Sequence, residues 1–162
     1  MKVELELIAV KKDENLNLIL GQSHFIKTAE DIYEVIVAGV PQAKFGLAFC
    51  ESSGKCLIRS EGNDNALKKS AESIALEISC GHTFVILLKD CYPINILNQI
   101  KNIQEVCRIF CATANPLQVI VAKSAEGRGI LGVIDGASPK GIEDEAERRI
   151  RKELLRKFGY KL

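Results

Sequence analysis

CGHTFVILLKDCYPINILNQIKNIQEVCRIFCATANP, residues Cys80 to Pro116, is the stretch from which the fold can be read. Thr83 to Leu88 is a six-residue apolar run with Val and Ile, the pattern of a strand buried on both faces. Asp90-Cys91-Tyr92-Pro93 interrupts it, and Pro93 suits the first position of a helix because its missing N–H would have no helical partner anyway. A second apolar strand follows, ending before Pro116. Gly81 therefore leaves His82 at a strand end.

Working back toward the N-terminus, Ala66, Leu67, Ala71, Ile74, Ala75 and Ile78 recur at helical spacing behind the polar turn Glu61 to Asn65, which supplies N-cap candidates. Val40 to Cys50 reads as a loop entering a strand, and Ser52 to Lys55 as the turn into a short partner strand, Cys56 to Arg59. Thr28, with Asp31 three residues on, is close to a capping box and predicts a helix to about Ala38, ended by Gly39. Val3, Leu5 and Leu7 alternate with Lys2, Glu4 and Glu6. They are expected to pair as a hairpin with the strand around Leu16 to Leu20, across the turn Lys11 to Glu14.

Toward the C-terminus, Leu117 to Ala122 and Ile130 to Ile134 read as strands around a Glu126 to Gly129 turn. Glu143 to Phe158 is an amphipathic helix with acids early and bases late, as its dipole favours. Strands outnumber helices and often follow one another directly. The expected fold is a single α+β domain over residues 1–162, with a mixed or mostly antiparallel sheet and helices packed on it.

The 162 residues suffice for one full core, and charged residues, 27% of the chain, nearly cancel to a net +1. Such a balance gives no broad field for nucleic acid or an anionic membrane, which leaves a small-molecule ligand. Apolar runs fall well short of the roughly 20 residues of a bilayer helix, and the N-terminal pattern is not that of a signal peptide, so a soluble cytoplasmic protein is expected. Of the six cysteines, Cys50, Cys80, Cys107 and Cys111 lie in or beside strand patterns, where a thiol acts as a small hydrophobe. No pair has the spacing of a zinc knuckle, although Cys107 and Cys111, four apart on a strand, would share a face. With His24 the only histidine besides His82, a histidine metal site is not expected.

Several residues have both a chemical and a plain reading. An imidazole such as that of His82 is a competent nucleophile near neutral pH, whereas the plain reading is a hydrogen-bonded strand-end histidine. Asp64, beside Asn63, would orient an imidazole or accept a proton, or it simply caps the next helix. Asn95 lies in the first turn after Pro93, where free N–H groups suit a phosphate, and Asn98 and Lys101 continue that face; a solvated polar face fits equally. Arg128, between Gly127 and Gly129, would clamp a phosphate or project from a turn. Neither a P-loop nor a dinucleotide fingerprint occurs.

The segments GQSHFIKT (21–28), VPQAKFGLAFCESSG (40–54), GND (62–64), GHTFVILL (81–88), YPINILNQIKNIQEVCRIFCATANP (92–116), GRGILGVIDG (127–136) and LLRKFGYKL (154–162) together resemble the adenosine-specific kinase family of archaea and thermophilic bacteria. The resemblance covers essentially the whole chain. It implies a trimer or hexamer that binds adenosine and AMP and transfers a phosphoryl group from ATP, with Mg²⁺, to the adenosine 5′-hydroxyl. A phosphohistidine is implied at His82. Asp64 or Asn63 would then orient the imidazole or the hydroxyl, and Asn95, Asn98, Lys101 and Arg128 would hold phosphate or ribose. The alternatives are a non-catalytic adenosine or AMP sensor, and a scaffold in which Tyr92, Phe110 and the Gly159 to Leu162 terminus pack between subunits.

Overall fold

The computed structural model describes residues 2–162. In chain order the elements are β1 (Glu4–Ala9), β2 (Asn17–Ser23), α1 (Thr28–Gly39), β3 (Lys44–Cys50), β4 (Ile58–Gly62), α2 (Asn65–Ile78) and β5 (Thr83–Lys89). A 3-10 turn (Pro93–Asn95) follows, then α3 (Leu97–Lys101), β6 (Val106–Thr113), β7 (Leu117–Lys123), β8 (Arg128–Asp135) and α4 (Glu145–Lys157). β5 is buried at every position except Lys89 and takes the middle of a five-stranded sheet ordered β4-β3-β5-β2-β6. A three-stranded sheet, β1-β7-β8, lies apart from it, and every pairing in both sheets is antiparallel. The α+β reading holds.

Alternation along β5 sends its side chains into two cores. Val85 and Leu87 join Leu18, Leu20, the apolar stripe of α2 and the inner residues Ile8, Val119 and Val121 of the small sheet. Phe84, Ile86 and Leu88 join Phe45, Leu47 and Phe49, under Ile32 and Ile36 of α1 and Ile96 and Ile100 after the 3-10 turn. Each such side chain contributes roughly 1.5 to 3 kcal/mol on burial, which fixes the register of the central strand. Gly46 lets α2 lie directly on β3: a Cβ there would stand 2.2 Å from the backbone of Leu67 and Lys68.

Four expectations need correction. β1 does not form a hairpin with β2; it pairs with β7, while β2 lies between β5 and β6. β2 is apolar on both faces and so requires a central place, whereas β1 buries only Ile8. The link between them passes from one sheet to the other, held by Lys12 Nζ, which donates to the carbonyls of Leu16 (2.9 Å) and Ala114 (2.7 Å). Thr28 is no N-cap; it lies inside α1, buried, its hydroxyl bonded to Phe25 O (2.5 Å) and Ser23 Oγ (2.7 Å). The strand after the Ser52 turn begins at Ile58, because Cys56 has φ +51° and stays in the turn. In β6 the register slips beside Cys107 and Phe110, which breaks the alternation that was to put Cys107 and Cys111 on one face. Cys107 is exposed and Cys111 half-buried against the core.

Candidate functional site

β5 begins where α2 delivers the chain, and the residue at that junction, His82, has φ +61°. A non-glycine residue in the left-handed region costs on the order of 1 kcal/mol and persists only where its surroundings hold it. Here both neighbouring strands do so. The His82 N–H donates to Cys50 O at the end of β3 (2.8 Å), and its carbonyl accepts from Ser23 N at the end of β2 (3.0 Å). Gly81 brings the junction against the Ser52 turn so closely that a Cβ would stand 2.4 Å from Ser52 Oγ and 3.1 Å from Ser52 Cβ.

The left-handed backbone sets the half-buried imidazole on the face of Phe49, ring centroids 6.0 Å apart and planes at 17°. Phe49 is itself sealed in the core under α1. Stacking fixes the plane of the imidazole and leaves its nitrogens clear; among the described residues neither forms a hydrogen bond. That suits a ring nitrogen used as a nucleophile, which needs a free lone pair.

The same end of the sheet carries charge on both faces. On the α1 side, Glu105 is buried, and neither of its carboxylate oxygens has a hydrogen-bond partner among the described residues; Lys27 Nζ stands 3.5 Å away. His24 is exposed, and its backbone N–H donates to Glu105 O (3.0 Å). Lys27 also pairs with Asp31, and that hydrogen bond, foremost, raises its ammonium pKa. On the α2 side, a cavity of about 610 Å³ is lined by Cys50, Ser52, Cys80, Gly81 and Arg128 among others. Arg128 is anchored there: Nη1 donates to Glu77 O (3.1 Å), and Nη2 pairs with Glu6. Glu6 in turn accepts from Lys123 (3.1 Å), and chiefly that bond, with Arg128 beside it, holds its carboxyl below the usual carboxylate range.

The remaining sequence candidates lie elsewhere. Asp64 Oδ1 accepts from the N–H groups of Ala66 (2.9 Å) and Leu67 (3.0 Å), capping α2 at the end of that helix away from His82. α2 has 14 residues and so spans roughly 20 Å; within one chain the Asp64 carboxylate does not reach the imidazole. Asn63 clasps the start of β3, accepting from Phe45 N (3.0 Å) and donating to Ala43 O (2.8 Å). Asn95 also belongs to that far end. Its Oδ1 caps Tyr92 N (3.0 Å), and its own N–H donates to Tyr92 O (2.9 Å), so the free N–H groups expected after Pro93 are partly satisfied internally. Asn98 and Lys101 are exposed on α3, a helix of only five residues. Of the predicted set, only Arg128 shares an end of the sheet with His82.

Phe49, Glu105 and Glu6 were not picked out from sequence. Phe49 reads as one more apolar strand residue, and Glu105 as a solvated acid in a polar loop; the pairing of β3 with β5 brings Phe49 beside His82, and that of β2 with both β5 and β6 brings Glu105 to the same end.

A family model described as adenosine specific kinase matches residues 8–161. Among solved structures, the chain is similar to the PH1918 protein from Pyrococcus horikoshii, at 42% identity over 99% of each chain and a TM-score of 0.95. No curated protein matches it.

Proposed function

The chain belongs to the adenosine-specific kinase family, and from that premise we propose that it phosphorylates adenosine through His82. The observation that carries this reading is the imidazole set on Phe49 by a left-handed backbone, with both nitrogens unbonded, at the mouth of the central strand. A structural histidine gains little from such a conformation, whereas a nucleophile gains a fixed line of attack.

In the proposed reaction a ring nitrogen of His82 attacks the γ-phosphorus of ATP; the N–P bond forms as the bond to the ADP oxygen breaks. The adenosine 5′-oxygen then attacks the phosphoryl group, the N–P bond breaks, and AMP leaves with the imidazole neutral again. The hydroxyl proton passes to solvent or to a nearby carboxylate, and Glu105 is the buried one at this end of the sheet. Charge neutralisation falls to Lys27 on the imidazole's side of the sheet and to Arg128 across it. Among the described residues no three His, Cys, Asp or Glu side chains cluster as a metal site. A Mg²⁺ ion fits here as part of the nucleotide, held by phosphate oxygens and water, where it would neutralise phosphate charge.

We also propose a homo-oligomer. None of the residues of α4 is buried, although Ile150 and Leu154 give it an apolar stripe, and Leu5, Leu7 and Leu131 lie exposed on the small sheet. Among the described residues no helix is long and apolar enough to cross a membrane.

The test is His82→Ala assayed for labelled AMP from γ-labelled ATP and adenosine. Abolished transfer with retained fold supports the reading, and undiminished AMP production overturns it.

A further inference from the structure

Among the described residues, four aromatic side chains are strongly exposed: Phe25, Tyr92, Phe158 and Tyr160. Three of them, Tyr92, Phe158 and Tyr160, rim a single cavity of about 540 Å³, within the roughly 300 to 1,000 Å³ range of small-molecule sites. Phe158 and Tyr160 meet edge to face, centroids 6.4 Å apart, where the chain after α4 returns to the start of the 3-10 turn. Exposed rings gathered on a concavity are stacking platforms for a flat heterocycle.

The polar groups of this cavity narrow the choice. The Thr113 hydroxyl donates to Asp135 (2.6 Å) and accepts from Asn115 N (3.0 Å), so it is already engaged. Asn17 donates through Nδ2 to Cys91 O (3.2 Å), which leaves its carbonyl oxygen, an acceptor, for a ligand. An acceptor beside aromatic faces suits a base with an exocyclic amino group. Among the described residues no Lys or Arg lines the cavity, so no cationic side chain there draws in a phosphate.

We propose that this cavity is a second nucleoside site, selective for a 6-amino purine and indifferent to a 5′-phosphate. The choice of purine rests on the adenosine reading above; the site itself rests on its lining. Asn17 opens β2 and Ser23, hydrogen-bonded to His82, closes it, so the seven-residue strand separates the two places by roughly 20 Å. A nucleoside bound here is therefore not the acceptor for the imidazole of its own chain.

The test is equilibrium binding of adenosine, AMP and inosine, without ATP, to the full chain and to Tyr92→Ala, Tyr160→Ala and His82→Ala. His82→Ala is expected to keep a saturable adenosine site, and each tyrosine variant to weaken that site on the order of tenfold. At this site AMP should match adenosine, while inosine, with a carbonyl in place of the amino group, binds on the order of tenfold more weakly or worse. In the unmodified protein, the amide signals of Ala112 and Ala114 should shift on adding adenosine, which keeps the test independent of any variant's folding. Wild-type affinity in both tyrosine variants, or unmoved Ala112 and Ala114 signals, overturns the proposal. So does a change of oligomeric mass in those variants with nucleoside binding unaltered, which would make the rim a subunit contact. Phosphoryl transfer to His82 should stay at the wild-type rate in the tyrosine variants; its absence from wild type alongside intact cavity binding would count against the kinase reading alone.

Discussion

His82 stacks on Phe49 with ring centroids 6.0 Å apart and an interplanar angle of 17°. One ring sits on a strand buried under α1 and the other at the open end of the next strand, so the core itself sets the plane of the imidazole. Phe49→Leu should keep the fold at a cost of about 1.5 kcal/mol in unfolding free energy while removing the flat support. Phosphorylation of His82 should then slow by roughly tenfold, as a displaced reacting group implies. Labelling of the variant at the wild-type rate would show that the stack does not position the ring.

Asp64→Ala separates a cap from a catalyst. The carboxylate accepts two N–H groups at the start of α2, and losing that cap should lower stability by about 1 kcal/mol in chemical denaturation. Labelling of His82 by ATP should not change, since α2 holds the two residues apart. A loss of labelling in a folded variant would mean that Asp64 reaches an imidazole, which would have to belong to another copy of the chain.

The thiols should divide by burial. Desolvation pushes Cys50 up to about 12, Cys80 up to about 11 and Cys111 up to about 12, and raises Cys91 as well. At pH 8 these four remain protonated thiols, whereas Cys56 and Cys107 are exposed. Brief iodoacetamide treatment of the native protein should give two adducts in the intact mass, and six after denaturation. More than two under native conditions would contradict the packing described.

Glu6 predicts a response to acid. Its folded pKa lies below the ordinary 4.5, chiefly through Lys123 and then Arg128. Its contribution is therefore fully present above 4.5 and is lost as pH falls through the lower folded value, where the unfolded chain binds the proton first. Thermal unfolding of the wild type should fall more steeply below that pH than unfolding of Glu6→Gln. Parallel curves would remove Glu6 as an anchor of Arg128.

Much of the fold is visible in local pattern. The apolar run at Thr83 needs a central place, the α2 stripe and its Asp64 cap are written at helical spacing, and Pro93 marks the break after β5. The partner of β1 is not local information: Ile8 meets Val119, more than a hundred residues on, because both have one apolar face to cover. The slips in β6 are equally hidden, since they arise from pairing with β2 and not from composition. Among the site candidates, the place of His82 at a strand end was legible from its glycine and its strand. The grouping of candidates was not, because adjacency in a motif says nothing about which end of a sheet a residue occupies. Asn63, Asp64 and Asn95 belong to one end and His82 to the other.

The central claim is tested most directly by the intact mass of the protein after incubation with Mg²⁺ and ATP, before and after adenosine is added. The account predicts a gain of one phosphoryl group, mapped to His82, that disappears on adding adenosine as AMP forms. AMP production from a chain whose His82 never carries a phosphoryl group would contradict it.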